Sequence, residues 1–474
     1  MLIVTYPRDA TFLERAPFAP QIERKLVEMD RLLDDSKLVL AVQNDLLLSA
    51  PQAAWNGRPA TPVVVTLRCA VVRALMGWSY ETMHKEIDGS LLWRWFCRIY
   101  SQDVPNHSTL RDREALIGAT TLQQLHRRVV HMAQQESVTT GKKLRTDGTV
   151  IETNIHYPTD SHLLSDSVHV LGRLLAQARI LLQPAGPVEK KAFRNRSRRA
   201  HKLARKIAQQ TRRQKGQKQT TTVALRPYRQ LVKVTQQTLC QVEQVLPQLQ
   251  KHGGRQAQHL VATFQHYLPL VRQVIDQTTR RVFEKKQVPA GQKTVSLFEP
   301  HTAIIQRGKR PPHETEFGRK LWYSEVDGGI ISDYRILSGN PPDAQQWVPS
   351  LKQHQKVFGY PPELATGDRG VYSLENERSA RKMGVKQVCL PQPGAKTKHR
   401  QQHEKQKWFK AALRFRTGIE GRISVLQRAR KLDRCLNRGE DGLARWVGWR
   451  IITNNLVVMG TKLARRKRRV NPET

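Results

Sequence analysis

Cysteine is scarce: five in 474 residues, at positions 69, 97, 240, 389 and 435, none of them in a CxxC pair. That spacing supports neither a zinc site nor a disulfide framework and points to a reduced, intracellular setting. Long apolar runs are missing as well. No stretch of about 18 apolar residues exists, so no membrane span is expected. The start, MLIVTYPRDATFLERAPF, lacks a charged n-region and offers only a short apolar stretch, so no signal peptide is evident. Acid is the third shortage, with 40 Asp+Glu against 80 Lys+Arg and a formal net charge of +40. Such an excess implies a polyanionic partner, most simply nucleic acid. The hydrophobic share of 39% excludes a disordered basic tail and is enough for real cores. The length suits roughly two to four structural units of about 100–200 residues each.

The charge is unevenly placed. Residues 1–60 hold 7 Lys/Arg and 8 Asp/Glu, so all of the excess lies beyond them. The densest run, 190–218, has 13 Lys/Arg and no acid, and a second cluster, Arg465 to Arg469, lies near the end. The run keeps Leu203, Ile207 and several Ala and Gln among its charges, so a helix that tracks phosphates stands beside the plainer reading of a solvated tail.

Residues 1–135 read as mostly helical. LRCAVVRALMGWSYETMHKEI breaks at Gly77 and resembles a helix-turn-helix in outline, a pattern that any small bundle also gives. Ser108 or Thr109 is the expected cap of a following helix. At 143–151 the period becomes that of a strand, KLRTDGTVI. Thr159, Asp160 and Ser161 offer caps for a helix that PAGP (184–187) ends, and with HGG (252–254) as a turn, residues 160–286 read as an α-helical insertion. Strands are expected at 294–306, 319–326 and 329–337, the last two joined by Asp327-Gly328-Gly329. A helix at 343–357, a strand ending at Asp368, a helix at 374–383, a short strand in KQVCLP, a long helix from about Lys405 to Leu432 and a last amphipathic helix follow. Without the insertion this order is ribonuclease H-like. The fold class expected is therefore α/β, a mixed sheet with an antiparallel hairpin plus parallel strands. A helical N-terminal domain (1–138), catalytic segments (139–159 and 290–440), a basic helical insertion (160–289) and a C-terminal helix with a basic tail (441–474) complete it.

Three acids fall on elements that such a sheet brings together. Asp147 lies mid-strand, Asp368 at a strand end before Arg369-Gly370, and Glu420 on the long helix. Phosphodiester chemistry with two divalent metals needs a few carboxylates from different elements and no close sequence spacing. Each acid also has a plain alternative: an Asp-Gly turn, a polar loop, a solvated helix face. At about 100° per residue, Arg416 lies about 40° to one side of Glu420, Gln427 about 20° to the same side and Lys431 about 20° to the other. One helix face thus sets an acid among basic and amide neighbours. His156 and His162 fit loop and cap positions better than a magnesium site. Trp322, Trp347, Trp446 and Trp449 are better read as core than as bases' stacking partners.

The chain resembles bacterial insertion-sequence transposases of the DDE type. The resemblance covers most of the chain and rests on TDGTVIETNIHYPTDS (146–161), SLFEPHTAIIQRGK (296–309), ATGDRGVYS (365–373) and RTGIEGRISVLQRARKLDRC (416–435). It implies a ribonuclease H-like catalytic domain and a helical N-terminal domain for dimerisation or end binding. It also implies catalytic, metal-holding roles for Asp147, Asp368 and Glu420, with two Mg²⁺ (or Mn²⁺) ions. Related families carry Tyr-x2-Arg-x3-Glu-x6-Lys around the glutamate. Here that spacing reads Leu413, Arg416, Glu420 and Gln427, so Arg and Glu are kept while Tyr and Lys are not. Arg428 or Lys431 are the substitutes at hand. The DNA contacts expected are Arg416, Arg428, Lys431 and Arg369 around the acids, and Arg198, Arg199, Lys202, Arg205, Lys206, Arg212 and Arg213 in the basic run. The expected partners are the element's terminal inverted repeats, target DNA and a second copy in a homodimer, in a bacterial cytoplasm at the nucleoid. Two rivals share these features: a ribonuclease H-like nuclease or resolvase without strand transfer, and a non-enzymatic basic nucleic-acid-binding protein.

Overall fold

The computed structural model describes residues 1–15, 23–57, 59–183, 191–214, 225–306 and 315–470. The turn expected at 184–187, Lys190, the end of the basic run at 215–218 and the side chain of Arg213 lie outside the described residues. The chain divides into two compact units, Met1–Glu152 with Arg319–Thr474, and Thr153–Gly318.

In the first unit the N-terminal helices are α1 (Ala10–Arg15), α2 (Arg24–Leu33), α3 (Ser36–Ser49), α4 (Val63–Met76), α5 (Tyr80–Asp88), α6 (Leu91–Phe96), α7 (His107–Ala115) and α8 (Ala119–Gln135). Helix α4 carries mostly Val, Leu and Ala and is buried along nearly its whole length. Gly77, at φ 70°, ends it, and α5 leaves at 107°. That is helix-turn-helix geometry. The exposed positions of α5, however, include Glu81, Glu86 and Asp88 beside Lys85, a face that repels phosphate. The cap of α7 is Asn106, whose Oδ1 accepts from Ser108 N at 3.1 Å, rather than the expected Ser108 or Thr109. The helix therefore starts two or three residues earlier than those caps would set it.

The sheet follows: β1 (Lys143–Glu152), β3 (Thr315–Val326), β4 (Ile330–Leu337), β5 (Leu364–Thr366) and β6 (Gln387–Cys389), ordered β4-β3-β1-β5-β6. β3 and β4 are antiparallel across the Asp327–Gly329 turn, while β1, β5 and β6 run parallel. Side chains alternate between faces. Leu144 and Trp322 join the core formed with the N-terminal helices, whereas Ile151, Leu321 and Tyr323 join a second core on the other face. Between the strands lie α13 (Ala344–Phe358) and α14 (Leu374–Lys382), then α15 (Lys398–Lys405), α16 (Lys407–Arg430) and α17 (Gly439–Val470). The long helix expected from about Lys405 to Leu432 forms as α16, preceded across Gln406 by the separate short helix α15, and Lys431 ends α16 in a left-handed conformation at φ 52°. The C-terminal cluster Arg465–Arg469 lies within α17 rather than in a loose tail. Trp322, Trp347, Trp446 and Trp449 are all buried. Among the described residues no single helix is long and apolar enough to cross a membrane.

The second unit is a bundle of α9 (Asp160–Leu182), α10 (Ser197–Gln214), α11 (Leu225–His252) and α12 (Gly254–Thr278) around its own apolar core. Thr159 caps α9 by accepting from His162 N. Of the strand expected at 294–306 only β2 (Ala303–Gln306) forms, paired antiparallel with residues 315–318 of β3. Upstream of it the backbone is bound elsewhere. Thr294 N donates to the Gln277 side chain at 2.9 Å, and Ser296 Oγ accepts from Phe298 N and Glu299 N, each at 3.1 Å.

Two buried histidines make the first unit acid-sensitive. His126 Nε2 lies 2.8 Å from the Ile331 carbonyl, and burial pushes its pKa down to about 4. His354 stacks on Phe358 at 4.5 Å between centroids, and burial lowers it to about 4 as well. Both rings are neutral in the fold. As pH falls below about 6.5 the unfolded chain takes protons that the folded one refuses until about pH 4. Stability is therefore lost across that window, by an amount on the order of 3 kcal/mol per histidine. Thermal midpoints measured between pH 7 and pH 5 should fall, and His126→Gln should reduce the slope. An identical slope in that variant would exclude His126 as a cause.

Candidate active site

The geometry around the three acids begins with strand register. Lys143, Leu144 and Arg145 pair with Leu364, Ala365 and Thr366. Carried two residues further, past the last paired residues, the same offset leads from Asp147 to Asp368. Asp368 lies two residues beyond the end of β5, where its Oδ1 accepts from Val371 N at 3.1 Å. Asp147 shares a face with Arg145 and Thr149, the face that α16 covers. Arg145 Nη1 donates to the Phe415 carbonyl, Tyr323 Oη to the Ile419 carbonyl at 3.4 Å, and Gln427 Nε2 to Thr149 Oγ1 at 3.3 Å. These bonds fix the helix against β1 and β3, and they bring Arg416 to 3.7 Å from Asp147 and 3.6 Å from Glu420. Glu420 itself is largely exposed, at 62% of its side chain. Arg416 thus stands between the first and third acids. Among the described residues no three His, Cys, Asp or Glu side chains are gathered closely enough to hold a metal ion.

A fourth acid belongs to this place. Asp343, immediately before α13, makes no capping bond to its own helix and instead pairs with Lys320 at 2.7 Å. A Cβ at Gly370 would stand 3.3 Å from Asp368 Oδ1 and 3.6 Å from Asp343 Oδ2, so the two carboxylates converge on one point that glycine leaves open. Burial, and then the charge of Asp343, raise the pKa of Asp368, with Arg416 acting in the opposite direction. No sequence signal marks Asp343. An Asp before a helix is an ordinary cap, and its use here depends on Lys320 reaching it from β3.

Behind the acids lies a buried ion network. Glu325 is fully buried and meets Arg145 at 2.8 Å and Arg422 at 3.4 Å. Arg145 also stacks on Phe415, 4.7 Å from the ring centroid.

The remaining expected contacts divide. Arg369, next to Asp368 in the chain, and Arg428, on α16, are exposed. Lys431 is not on the Glu420 face, because α16 ends before it, and its stem packs over Gly77, whose Cβ would meet Lys431 Cγ at 2.9 Å. Gln427, at the family's lysine position, docks the helix rather than facing outward. Arg198, Arg199, Lys202, Arg205, Lys206 and Arg212 are exposed on α10 in the second unit, opposite buried Ala200, Ala204 and Ile207. His156 and His162 belong to the loop and first turn of α9.

Residues 15–114 match the family model described as a transposase domain, DUF772. The match supports a transposase. The matched stretch covers α2 to α7 and stops before α8, and Asp147, Asp343, Asp368 and Glu420 all lie outside it. No curated protein and no solved structure matches the chain.

Proposed function

We propose that this protein is a DDE-type transposase. It would bind the terminal inverted repeats of its insertion sequence as a homodimer, cleave there with Asp147, Asp368 and Glu420, and join the freed 3′-hydroxyl to target DNA. One observation carries the reading: Arg416, on the docked helix α16, stands 3.7 Å from Asp147 and 3.6 Å from Glu420, and the parallel register of β1 and β5, continued past the end of β5, leads to Asp368. The transposase-domain match supports the DNA partner. The order β4-β3-β1-β5-β6, with a hairpin on one side and parallel strands on the other, supports a ribonuclease H-like sheet.

The donor set suits magnesium or manganese by its chemistry, although no three of these side chains are gathered closely enough to hold an ion among the described residues. It consists of hard carboxylate oxygens, and the convergence of Asp343 on Asp368 leaves negative charge that a divalent cation would offset. Asp147, Asp368 and Glu420 would hold the ions, whose chemistry, when bound, is to activate the attacking oxygen and stabilise the leaving one. The chain's own residues do the rest. Arg416 neutralises Asp147 and Glu420 before DNA arrives and is positioned to meet a phosphate once those acids are otherwise engaged. Lys320 fixes Asp343. The exposed cations of α10 would supply further phosphate contacts.

The test uses DNA carrying the sequences that flank the gene, with Mg²⁺ or Mn²⁺. The full chain should nick at the element ends, leaving 3′-hydroxyls, and should join a pre-cut 3′-hydroxyl end to a target plasmid. Asp147→Asn should bind the ends and do neither. Nicking without joining of the pre-cut end would identify a nuclease instead, and binding without any metal-dependent cleavage would leave a non-enzymatic DNA-binding protein.

A further inference from the structure

A cleft of about 350 Å³ opens in the first unit between α3, α8 and α13. Its charged lining is Lys37, Arg127, Arg128, His131 and Lys356, with Gln353 beside them, and it contains no acid. Two of these groups are accounted for. Arg128 is held by Asp35 at 2.5 Å, and its Nη1 lies 3.0 Å from His131 Nδ1. Lys37, Arg127 and Lys356 are exposed and form no ion pair among the described residues. Three helices therefore bring three exposed cations to one concavity, of which Arg127 also feels a nearby acid, the buried Asp333, and an anion entering the cleft would relieve their mutual repulsion.

We propose that this cleft is a second DNA-holding site, which takes the backbone phosphates of the duplex whose cleavage site lies at the acids. The proposal rests on the transposase reading above. Helix α13 connects the two places. It starts beside Asp343, at the acid cluster, and Lys356 lies near its other end, about 20 Å away at 1.5 Å per residue. That distance corresponds to about six base-pair steps of 3.4 Å. Between them the exposed positions of α13 are Gln345, Pro349, Lys352 and Gln355, and the helix itself, AQQWVPSLKQHQKVF, has no acid. A phosphate backbone following this ridge meets only neutral or positive groups.

The experiment compares the full chain with Arg127→Gln/Lys356→Gln in equilibrium binding to duplex DNA across a salt series. Each lost phosphate contact should flatten the log–log salt slope by about 0.9, so the double variant should lose about 1.8 and bind roughly fiftyfold more weakly at 0.1 M salt. An unchanged slope in a variant with an unchanged thermal midpoint overturns the proposal. If the double variant fails to fold, Lys356→Gln alone carries the test, with a loss of about 0.9 expected and no loss overturning it. Inorganic phosphate provides the second arm. Should it raise the thermal midpoint of the parent chain but not of the variant, while the DNA slope stays the same, the cleft takes free phosphate and the DNA assignment is wrong. A parent chain that does not bind duplex DNA at all would sink the transposase reading itself, an outcome distinct from an unchanged slope in the variant.

Discussion

Asp368→Asn should slow metal-dependent end cleavage by at least about a hundredfold, the scale seen when one preorganised charge is removed from a transition state. Binding of the element ends should stay close to that of the parent. The substitution is nearly isosteric, and the asparagine Oδ1 can still accept from Val371 N, the bond that holds the loop after β5. What it removes is the negative charge that Asp343 opposes and Arg416 favours. Relief of that opposition predicts a thermal midpoint equal to or slightly above the parent's. Loss of cleavage with a retained midpoint therefore separates chemistry from folding. A variant that cuts at the parent's rate would remove Asp368 from the reacting set, and with it the argument from strand register.

Glu325→Ala should be the most damaging single change to stability near the site, by about 3–5 kcal/mol, because it leaves buried charge without a counterion. Glu325 is fully buried, and its partners Arg145 and Arg422 are each less than one-fifth exposed. Neither guanidinium has room to swing into water without leaving its packing. Arg145 is also bonded to the Phe415 carbonyl and stacked on that ring, so the loss should loosen α16 and with it Arg416 and Glu420. Glu325→Gln keeps an acceptor for one arginine and should cost less, about 1–3 kcal/mol. Chemical denaturation of the full chain reads both. A Glu325→Ala variant within 1 kcal/mol of the parent would mean that the two arginines find other partners and that the network does not fix the helix.

Much of this site was legible in the residues. Asp147 could be placed on a strand because alternation and flanking turn residues are local signals, the strand expected to end at Asp368 stops two residues short of it at Thr366, and the helix bearing Glu420 announced itself by length. The limits were local too. The helix ends at Arg430, so the angular argument that set Lys431 beside Glu420 ran past the last helical turn. Gln427 and Arg416 lie toward one side as periodicity requires, but that Gln427 bonds Thr149 while Arg416 reaches Asp147 depends on what α16 faces. The expected strand at 294–306 shrank to four residues because Gln277, from a helix, took the backbone N–H of Thr294.

By itself the sequence determined the charge excess and its placement beyond residue 60, the strand–helix alternation after residue 319, the buried tryptophans and three of the acids. These follow from composition and from periods of two and 3.6, which each segment carries whatever surrounds it. The tertiary structure alone decided that Asp343 joins Asp368, that Arg416 stands between Asp147 and Glu420, that Glu325 ties two arginines behind them, and that Lys37, Arg127 and Lys356 share a cleft. Each of these depends on side chains from elements far apart in the chain. Electrostatic coupling depends on distance in space, and no local pattern encodes that distance.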